Sequence, residues 1–369
     1  MPEVRVIDSL AAVDRGQWRA LFPGAAEDYD YLAAVEAAGL KGFQWRYAVA
    51  YEDDRLVAAA PGFTTAYPLD TTLTGVGRRV AESLRRVLPD ALTLRLACLG
   101  SPCTETAILG MAPDAQTSPV RLVRALVGAF EDAARGDGCR LLGVKDVAEP
   151  DRAAWAPVLS GLGYGAIPGQ PIARLAVDFA TLDDYLAALG PGVRKDMRRK
   201  LRALDRVRID VRGNVDDVIG RIMELYAQTL ARAEMSFEEL TPEFFTGVLA
   251  RMPGRAACVL YFEGDDLLAV NLLVEDGETL VDKFFCMDAV RGRPLNLYFL
   301  SWFTNLRLCL ARGRTVYQTG QAAYANKLRL GCTLTRTSNH FRHRNILVNG
   351  ALRLVAPMFG ADPTLQDAA

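Results

Sequence analysis

The chain has 369 residues, of which half are apolar and about a quarter are charged, and its formal net charge is −1. This length exceeds the size at which a single hydrophobic core usually stops growing, so we expect two domains of roughly 180 residues each. The near-neutral balance excludes a globally basic nucleic-acid coat, and an electrostatic partner must therefore meet a local patch.

The sequence composition also predicts the cellular compartment and the capacity for metal binding. The N-terminus is acidic and carries no apolar run, and no later stretch approaches the ~18 apolar residues that span a bilayer, so we expect a cytoplasmic protein. Seven scattered cysteines without C-x-x-C spacing suit a reducing compartment, and with only two histidines we expect no metal site.

The first half of the chain predicts the order hairpin, strand, helix, strand, short helix, strand. Alternating apolar residues flank a charged turn at Glu52, and the helix shows apolar residues at helical spacing until a glycine ends it. The segments are a hairpin at 44–61, a strand at 92–100, a helix at 118–138, the strand CRLLGVKDV, the short helix WAPVLSGLGYG and the edge strand IARLAVDF, which closes the unit near residue 178.

The second half repeats this order after a helical region at 182–251. Three strands separated by Gly-Asp and Asp-Gly turns lead into an amphipathic helix at 294–313, which has Pro at its start and Gly past its end. The strand RTVYQTG, the short helix QAAYANKLRLG and the strand TLTRTSNHFRHRN complete the unit. The duplicated order predicts two related domains, 1–178 and 179–369.

A basic segment opens the second half. Residues 194–208 contain eight Lys or Arg against two Asp, and helical spacing places Arg194, Arg198 and Arg202 on one side, with Arg199 beside them. Such a face can bind phosphate, from a tRNA acceptor end or a nucleotide-sugar diphosphate, and the alternative is an ordinary solvated surface.

Three segments together resemble the FemAB-like branch of the GNAT superfamily: VRKDMRRKLRA, PLNLYFLSWFTNLRLCLARG and GQAAYANKLRLG. The resemblance implies an α/β fold of two tandem GNAT-like domains, each a mixed, mostly antiparallel sheet flanked by helices. It also implies a transferase that moves an aminoacyl or acyl group from an activated carrier to a small-molecule or peptide amine, forming an amide or peptide bond. In this interpretation 1–178 is the acceptor side and 179–369 the acyl-donor side.

The sequence leaves the identity of the carrier open. Acetyl-CoA enzymes of the superfamily carry an Arg/Gln-x-x-Gly-x-Gly/Ala loop that cradles the pyrophosphate at a helix N-terminus. MDAVRGRPLNLY, at the corresponding place, lacks that pattern, and TLTGVG at 72–77 has the glycines without the leading Arg or Gln. We therefore expect no bound cofactor and favour aminoacyl-tRNA as co-substrate, with acyl-CoA as the alternative. A non-catalytic module that binds cell-wall precursors or RNA is the alternative of another class.

The candidate catalytic residues are Lys327, Tyr324 and Glu105. The resemblance implies that Lys327 stabilises a donor phosphate or an oxyanion and that Tyr324 protonates the leaving group, while Glu105 lies in a polar loop and could deprotonate the attacking ammonium. Ordinary surface, core and loop roles are the alternatives.

The candidate substrate-binding residues are Arg194, Arg198, Arg199, Arg202, Lys283, Gln318, Gln321 and Arg329. For Lys283 an ion pair with a neighbouring strand is the alternative, and turn chemistry explains the region of Gln321 equally well.

Overall fold

The computed structural model describes residues 2–68, 93–232 and 237–356. The glycines predicted at 72–77 therefore lie outside the described residues. The chain divides into two compact units. The first comprises the residues up to Pro23, Lys41–Pro171 and the residues from Arg336 onward, and the second comprises Gly24–Leu40 and Ile172–Thr335.

The elements up to residue 171 begin with a strand and two helices, followed by the hairpin. In chain order they are β1 (Glu3–Ile7), α1 (Arg15–Leu21), α2 (Tyr29–Ala37), β2 (Gln44–Glu52), β3 (Arg55–Pro68), β4 (Thr93–Leu99), β5 (Gly110–Met111), α3 (Pro119–Gly136), β6 (Leu141–Ala148), α4 (Arg152–Gly161) and β7 (Gly165–Pro168).

The remaining elements are β8 (Ile172–Ala176), α5 (Leu182–Ala188), α6 (Pro191–Leu201), β9 (Arg208–Arg212), α7 (Ile219–Leu230), α8 (Pro242–Arg251), β10 (Ala256–Glu263), β11 (Asp266–Glu275), β12 (Thr279–Met287), α9 (Ala289–Gly292), α10 (Leu297–Arg312), β13 (Val316–Gln318), α11 (Tyr324–Arg329), β14 (Thr333–Thr335), β15 (Thr337–His343) and α12 (Ile346–Val355). Within the described ranges, no helix combines the length and the apolar character that crossing a bilayer requires.

Each unit contains one mixed sheet. The first sheet has the order β1-β2-β3-β4-β6-β15-β7, with β5 added to β3, and among its described strands only the β4–β6 pair is parallel. The second sheet has the order β14-β8-β13-β12-β11-β10-β9, and within the described ranges only its β12–β13 pair is parallel. The fold class predicted from the sequence, two mixed and mostly antiparallel sheets flanked by helices, is confirmed.

Small residues let α3 approach the first sheet closely. The helix buries Leu126, Val127 and Phe130 against strands that are rich in alanine, in which Ala58 and Ala60 are fully buried. A Cβ atom on Gly62 of β3 would lie 2.7 Å from the Phe130 ring, so glycine is required at that position for this packing.

A hydrogen-bonded aromatic cluster fixes α10 in the second unit. The Trp302 Nε1 donates to the Tyr185 hydroxyl over 3.1 Å, and that hydroxyl donates to the Leu330 carbonyl over 2.7 Å. Both side chains are buried, together with Leu300, Phe303 and Leu306 of the same helix. The cluster therefore joins α5, α10 and the end of α11 in one core.

Two strands lie in sheets other than those expected. The segment IARLAVDF was expected to close the first unit, but β8 pairs with β13 and β14 in the second sheet. The segment TLTRTSNHFRHRN was expected to be one strand of the second unit, but it forms β14 and then β15, which lies between β6 and β7 of the first sheet. The boundaries of the two compact units therefore differ from the predicted domain boundary between residues 178 and 179. Apolar alternation predicts a strand but does not say which sheet offers it a free edge.

Two further expectations at the level of elements were wrong. The helical region predicted over 182–251 contains β9, because Arg208–Arg212 alternates charged and apolar residues and pairs with β10. The long helix predicted to begin at Pro294 begins at Leu297, because Asn296 has φ of +54°, in the left-handed region. The strands β10 to β12, the hairpin β2–β3 and the helix α3 are confirmed.

His340, a buried histidine of β15, predicts how the first unit responds to acid. Burial, together with the nearby Arg152, lowers the pKa of His340 to about 4, below the ordinary value of 6.5. The unfolded chain then binds a proton in the interval between these values and the folded unit does not, so stability is lost as the pH falls from 6.5 towards 4. The loss is on the order of 3 kcal/mol.

This prediction is checked by comparing the free energy of unfolding of the wild type with that of His340→Gln from pH 7 to 4. We expect the variant to lose less stability over this interval, because glutamine can keep the contact to the Ser338 hydroxyl and does not titrate. Parallel pH profiles for the two proteins would contradict it.

Candidate active site

The second sheet opens where its two parallel strands part. The register of β12 and β13 runs only from Thr279 opposite Val316 to Val281 opposite Gln318, where β13 ends. β12 continues to Met287 and keeps its pairing with β11. Within the described part of the chain, residues 282–287 therefore have a strand on one side only. We call this opening the strand gap. An exposed strand edge of this kind offers backbone donors and acceptors to an extended ligand.

A bulge lies at the start of the strand gap. Leu272 of β11 stands opposite Phe284, but the next residue, Leu273, stands opposite Asp282, so that Lys283 is the extra residue of β12. A bulge twists and bends a strand locally, and it re-aims the side chains beside it. The interruption of an apolar strand by Asp282 and Lys283 thus coincides with the point where the sheet opens.

Asp282 accepts hydrogen bonds from three elements. The Asn271 Nδ2 of β11 donates to its Oδ1 over 2.5 Å, the Tyr317 hydroxyl of β13 donates to its Oδ2 over 3.1 Å, and the Asn305 Nδ2 of α10 lies 3.3 Å from that oxygen. Asn305 also donates to the Asn271 Oδ1 over 2.8 Å. We call these four residues the apex network.

The apex network is electrostatically costly. Burial raises the pKa of the Asp282 carboxyl, against the opposing influence of the Asn271 hydrogen bond and of Lys327. Burial also raises the pKa of the Tyr317 hydroxyl well above its ordinary value, and the neighbouring carboxylate adds to that increase. Asn271 and Asn305 are both completely buried. A set of polar groups held at this cost in a core is typical of a functional site, although such networks also serve structure.

Sequence reasoning missed Asn271, Asn305 and Tyr317. The first two do carry a signal, since each is a polar amide within an apolar run, LLAVNLLV in the strand and LSWFTNLRL in the helix. A buried amide must find partners, and a pair of them in neighbouring elements indicates a shared polar centre. Tyr317 carried no such signal, because a tyrosine in a short strand is ordinary.

Lys327, Tyr324 and Gln318 lie on the β13 side of the second unit. Lys327 is 4% exposed, and its Nζ donates to the Gly320 carbonyl over 2.7 Å. The same Nζ lies 5.9 Å from the centre of the Tyr324 ring. The Gln318 Oε1 accepts a hydrogen bond from the Arg174 Nε over 3.1 Å, and Gln321 is half-buried in the turn before α11. A buried ammonium is thus held near the end of β13.

Lys283 is placed apart from this group. Its Nζ forms a short ion pair with Glu27, and it lies 5.2 Å from the centre of the Tyr31 ring of α2. Successive residues of a strand point to opposite faces, and at this bulge Asp282 faces the apex network while Lys283 faces α2. Its partner is therefore Glu27 rather than the adjacent carboxylate.

The basic residues of α6 gather around one carboxylate. Asp196 pairs with Arg199 at 2.6 Å, with Lys200 at 3.1 Å and with Arg329 of α11 at 2.9 Å. These hydrogen bonds, that from Arg199 first, lower the pKa of Asp196 to about 2. Arg329 thereby joins the basic surface predicted for α6.

Other basic residues of α6 point into solvent. Arg194 donates to the Ala187 carbonyl over 3.1 Å, whereas Lys195, Arg198 and Arg202, which directly follows the last residue of α6, are exposed and form no ion pair or hydrogen bond within the described ranges. The helix lines a shallow cavity of about 730 Å³. We call Lys195, Arg198 and Arg202 the free basic residues of α6.

Glu105 lies in the first unit, in the loop that follows β4, and is 8% exposed. The parallel pairing of β4 with β6 also stops early, at Leu99 opposite Val144. Here the loop itself fills the opening, because the Lys145 Nζ donates to the Ser101 and Thr104 carbonyls over 3.1 and 2.8 Å. The Ala107 amide also donates to the Asp146 carbonyl over 2.8 Å. Glu105 is part of this closed loop.

A family comparison covers the unit that holds the strand gap. Residues 191–328 match the family described as Acetyltransferase (GNAT) domain. This part of the second unit is therefore similar to GNAT domains. The matched range begins at α6 and ends within α11, so it includes the whole apex network, Tyr324 and Lys327.

Solved structures extend the GNAT likeness to both units. A crystal structure of FemX has a TM-score of 0.59 at 12% identity and covers 96% of this chain and 100% of its own. A tandem GNAT protein from the clavulanic acid biosynthesis pathway has a TM-score of 0.55 at 15% identity. The match covers 92% of this chain and 98% of that protein's chain. A third structure is the C-terminal domain (DUF2156) of a putative lysylphosphatidylglycerol synthetase from Agrobacterium fabrum. It has a TM-score of 0.53 at 14% identity, and the match covers 93% of this chain and 95% of its own. The fold is a tandem GNAT fold, which confirms the predicted resemblance.

Curated relatives come from Mycobacterium tuberculosis and are named putative 8-amino-7-oxononanoate synthase 2. They are 23% identical over 351 residues, which are 92% of this chain and 45% of theirs. The chain therefore spans about half the length of the curated relatives it matches.

The apex network predicts a large difference in stability between two variants of the second unit. Asn305→Ala removes the amide that bonds to Asn271, Asp282 and Tyr317, and it leaves a cavity, so we expect a loss of about 3 kcal/mol in the free energy of unfolding. Tyr298→Phe is the matched control, because its buried hydroxyl has no hydrogen-bond partner in the described ranges.

Urea denaturation of the wild type and both variants measures the difference. We expect Tyr298→Phe to lie within about 0.5 kcal/mol of the wild type. A similar loss in both variants, or in neither, would show that the network does not stabilise the core as its geometry indicates.

Proposed function

We propose that the protein transfers an aminoacyl or acyl group from an activated carrier to an amine at the strand gap of the second unit. The observation that carries this proposal is the parting of β12 from β13 after Val281 and Gln318, with a buried ammonium, Lys327, near the end of β13. An extended donor can pair with the free edge of β12, which holds the donor carbonyl in a fixed position.

The chemistry is a direct displacement. The neutral amine attacks the donor carbonyl, a new C–N bond forms and the carbonyl oxygen becomes an oxyanion. The charge of Lys327, fixed by its bond to the Gly320 carbonyl, stabilises that oxyanion. The C–O or C–S bond to the carrier then breaks, Tyr324 protonates the leaving group, and the nitrogen releases a proton to solvent.

Aminoacyl-tRNA is the carrier we favour. Lys195 and Arg198 lie exposed on α6, and Arg202 lies exposed at its C-terminal end, without ion-pair partners in the described ranges, while Asp196 organises Arg199 and Arg329 beside them. A row of free cations suits the phosphate backbone of an acceptor stem. Charged tRNA is a cytoplasmic molecule, so we place the reaction in the cytoplasm.

Acyl-CoA is the second candidate carrier. The matched family is described as an acetyltransferase domain, and the tandem GNAT protein from the clavulanic acid pathway is described as a form without AcCoA. The segment between β12 and α10 carries Arg291 and Arg293, but Arg291 is paired with Asp266 at 2.8 Å. Because Arg291 is already paired, it is not available to bind the pyrophosphate of CoA. Acyl-CoA is therefore the weaker candidate carrier.

The curated relatives suggest an acceptor. Their name describes a synthase whose product carries an amino group next to a ketone, and this chain matches about half of their length. We propose an α-amino ketone as one acceptor to test beside peptide amines.

Lys327 gives the first test of this function. Lys327→Met keeps the length of the side chain and removes its charge, so we expect kcat to fall by about 100-fold. Lys327→Arg is the control that keeps the charge, and we expect it to retain more activity than Lys327→Met. The measurement is release of free tRNA or free CoA with a panel of amines, and equal rates for the wild type and Lys327→Met would refute the role of the lysine.

The free basic residues of α6 test the carrier. Replacing Lys195, Arg198 and Arg202 by alanine should weaken binding of charged tRNA and lower the slope of log affinity against log salt by about 2 to 3, because counter-ions are no longer released. The control replaces three exposed basic residues elsewhere, Lys41, Arg121 and Arg251.

Three outcomes of the carrier experiment are distinguishable. Loss of tRNA binding in the α6 variant but not in the control supports aminoacyl-tRNA. Turnover of acyl-CoA that is insensitive to the α6 changes supports the second carrier. Affinity for RNA or cell-wall precursor without any product would instead indicate a binding module.

A further inference from the structure

The helix α12 of the first unit carries an apolar face on its exposed side. Ile346, Leu347 and Leu354 are 80% to 83% exposed, and Val348 is 40% exposed. At about 100° per residue, the first three fall within an arc of about 100° on the helix. Half of the large apolar side chains that are exposed in the described residues belong to this one helix. A concentration of this kind marks a surface that contacts a partner or a membrane.

The opposite side of α12 is fixed to the first unit. The Asn345 side chain caps the start of the helix. The Asn349 Oδ1 accepts a hydrogen bond from the His343 amide over 3.0 Å, and its Nδ2 donates to the Gly163 carbonyl over 3.1 Å. Leu352 packs against a buried cluster of the first sheet. These contacts fix the rotation of the helix, and the apolar face therefore points outward because of specific packing.

The apolar face of α12 is small for a protein interface. Its four large side chains expose roughly 300 to 400 Å² of apolar surface, whereas a stable protein complex buries about 800 Å² on each partner. The helix has 10 residues, about half the length that spans a bilayer. A short helix with an aliphatic face suits the surface layer of a membrane, where it lies in the plane with its apolar side chains at the acyl-chain boundary.

A row of arginines lies where α12 begins. The Arg140 amide donates to the Arg95 carbonyl over 3.1 Å and the Arg344 amide donates to the Arg140 carbonyl over 3.0 Å, so the three residues follow one another across β4, β6 and the end of β15. Arg95 and Arg140 are exposed, as is Arg353 of α12, and none of the three forms an ion pair in the described ranges. The Arg344 side chain donates to the Cys139 and Glu131 carbonyls, which carry no countercharge.

The sequence around α12 lacks acidic residues. Residues 289–361, which include β15 and α12, contain eleven Lys or Arg and no Asp or Glu, although 44 of the 369 residues of the chain are acidic. Such a surface attracts anionic phospholipids without any opposing repulsion. In a symmetric dimer, by contrast, the same face of two copies would meet and bring like charges together. The charge pattern therefore favours a membrane over a second copy of this chain.

We infer that α12 is a peripheral membrane-binding helix, which lies in the surface layer of a bilayer that contains anionic phospholipids. The side chains of Ile346, Leu347 and Leu354 enter the acyl-chain boundary. The arginines at the two ends of the helix, Arg95, Arg140 and Arg353, contact the lipid phosphates. The inference goes beyond the proposed transfer reaction and does not depend on it, because binding to vesicles requires no donor, acceptor or turnover.

Co-sedimentation of the full chain with vesicles tests the apolar face. We expect binding to phosphatidylcholine vesicles that contain phosphatidylglycerol, and weaker binding to phosphatidylcholine alone. Replacing Ile346, Leu347 and Leu354 by glutamine, which keeps the helix propensity, should lower the partition coefficient on the anionic vesicles by about 100-fold. The matched control replaces three exposed valines elsewhere, Val120, Val211 and Val290, and should leave the partition coefficient within about threefold of the wild type.

A second variant tests the charges. Replacing Arg95, Arg140 and Arg353 by glutamine should weaken binding to the anionic vesicles by about fivefold for each arginine and leave binding to neutral vesicles unchanged. All three side chains are exposed, so the variant should fold, and circular dichroism and urea denaturation check this for each variant.

A fluorescent label reports directly whether α12 enters the bilayer. The cysteines of the described residues are all buried, so Leu347→Cys can be labelled selectively with an environment-sensitive dye. We expect the dye emission to shift to the blue when anionic vesicles are added. Val120→Cys, on α3, is the control and should show no shift. The two helices pack on opposite faces of the first sheet, since Leu352 contacts the cluster of Leu96 whereas α3 contacts that of Ala97.

Three results would overturn the inference. The first is that the wild type does not bind anionic vesicles, and the second is that the glutamine variant of α12 binds them as well as the wild type does. The third is that the dye at position 347 already emits in the blue without lipid, because the face is then covered by another segment of the chain or by a second copy. Sedimentation velocity of the lipid-free protein distinguishes these two occupants.

Discussion

The parting of two parallel strands in the second sheet is the constraint on which the proposed chemistry depends. A parallel pair that continued along all of β12 would satisfy the backbone of residues 282–287 and leave no place for a donor. Because β13 stops at Gln318, the chain must turn into α11, and that turn brings the Gly320 carbonyl to the ammonium of Lys327. The same break leaves Asp282 at the end of the gap, where residues from three further elements hold it.

The two units use the same sheet plan in different ways. In the first, β4 and β6 also part early, but the loop after β4 returns to β6 and is fixed there by Lys145 and by the Ala107 amide. In the second, the free edge of β12 has no strand beside it within the described residues. Two units with the same fold therefore need not have the same open site, because a short loop decides whether the opening between the parallel strands is filled.

Much of the fold could be predicted from the sequence. The short apolar runs within 257–288 and the Gly and Asp turns between them specify β10 to β12, and the apolar spacing of α3 specifies a helix, because these signals are local. The sheet in which β8 and β15 lie is decided by pairing with residues more than a hundred positions away, which no local pattern encodes. Short charged strands such as β9 are also easily mistaken for helix surface.

The candidate site also contains residues that could be predicted from the sequence and residues that could not. Lys327 and Tyr324 could be named because a motif-like segment carries both, and the basic surface of α6 is visible as a charge excess. The partners of Asp282 could not be named, since Asn271, Asn305 and Tyr317 come together only when two strands and a helix are packed. The pairing of Lys283 with Glu27 joins residues 256 positions apart and is equally invisible in the sequence.

The placement of β15 between β6 and β7 has a consequence for biosynthesis. A ribosome makes β1 to β7 first, yet the sheet they belong to lacks an interior strand until residue 343 has emerged. The first unit is thus the earlier one to be synthesised and cannot be finished before the second has been translated. A nascent chain that long, with two strand edges waiting for a partner, is exposed to wrong pairings and to chaperones for much of its synthesis.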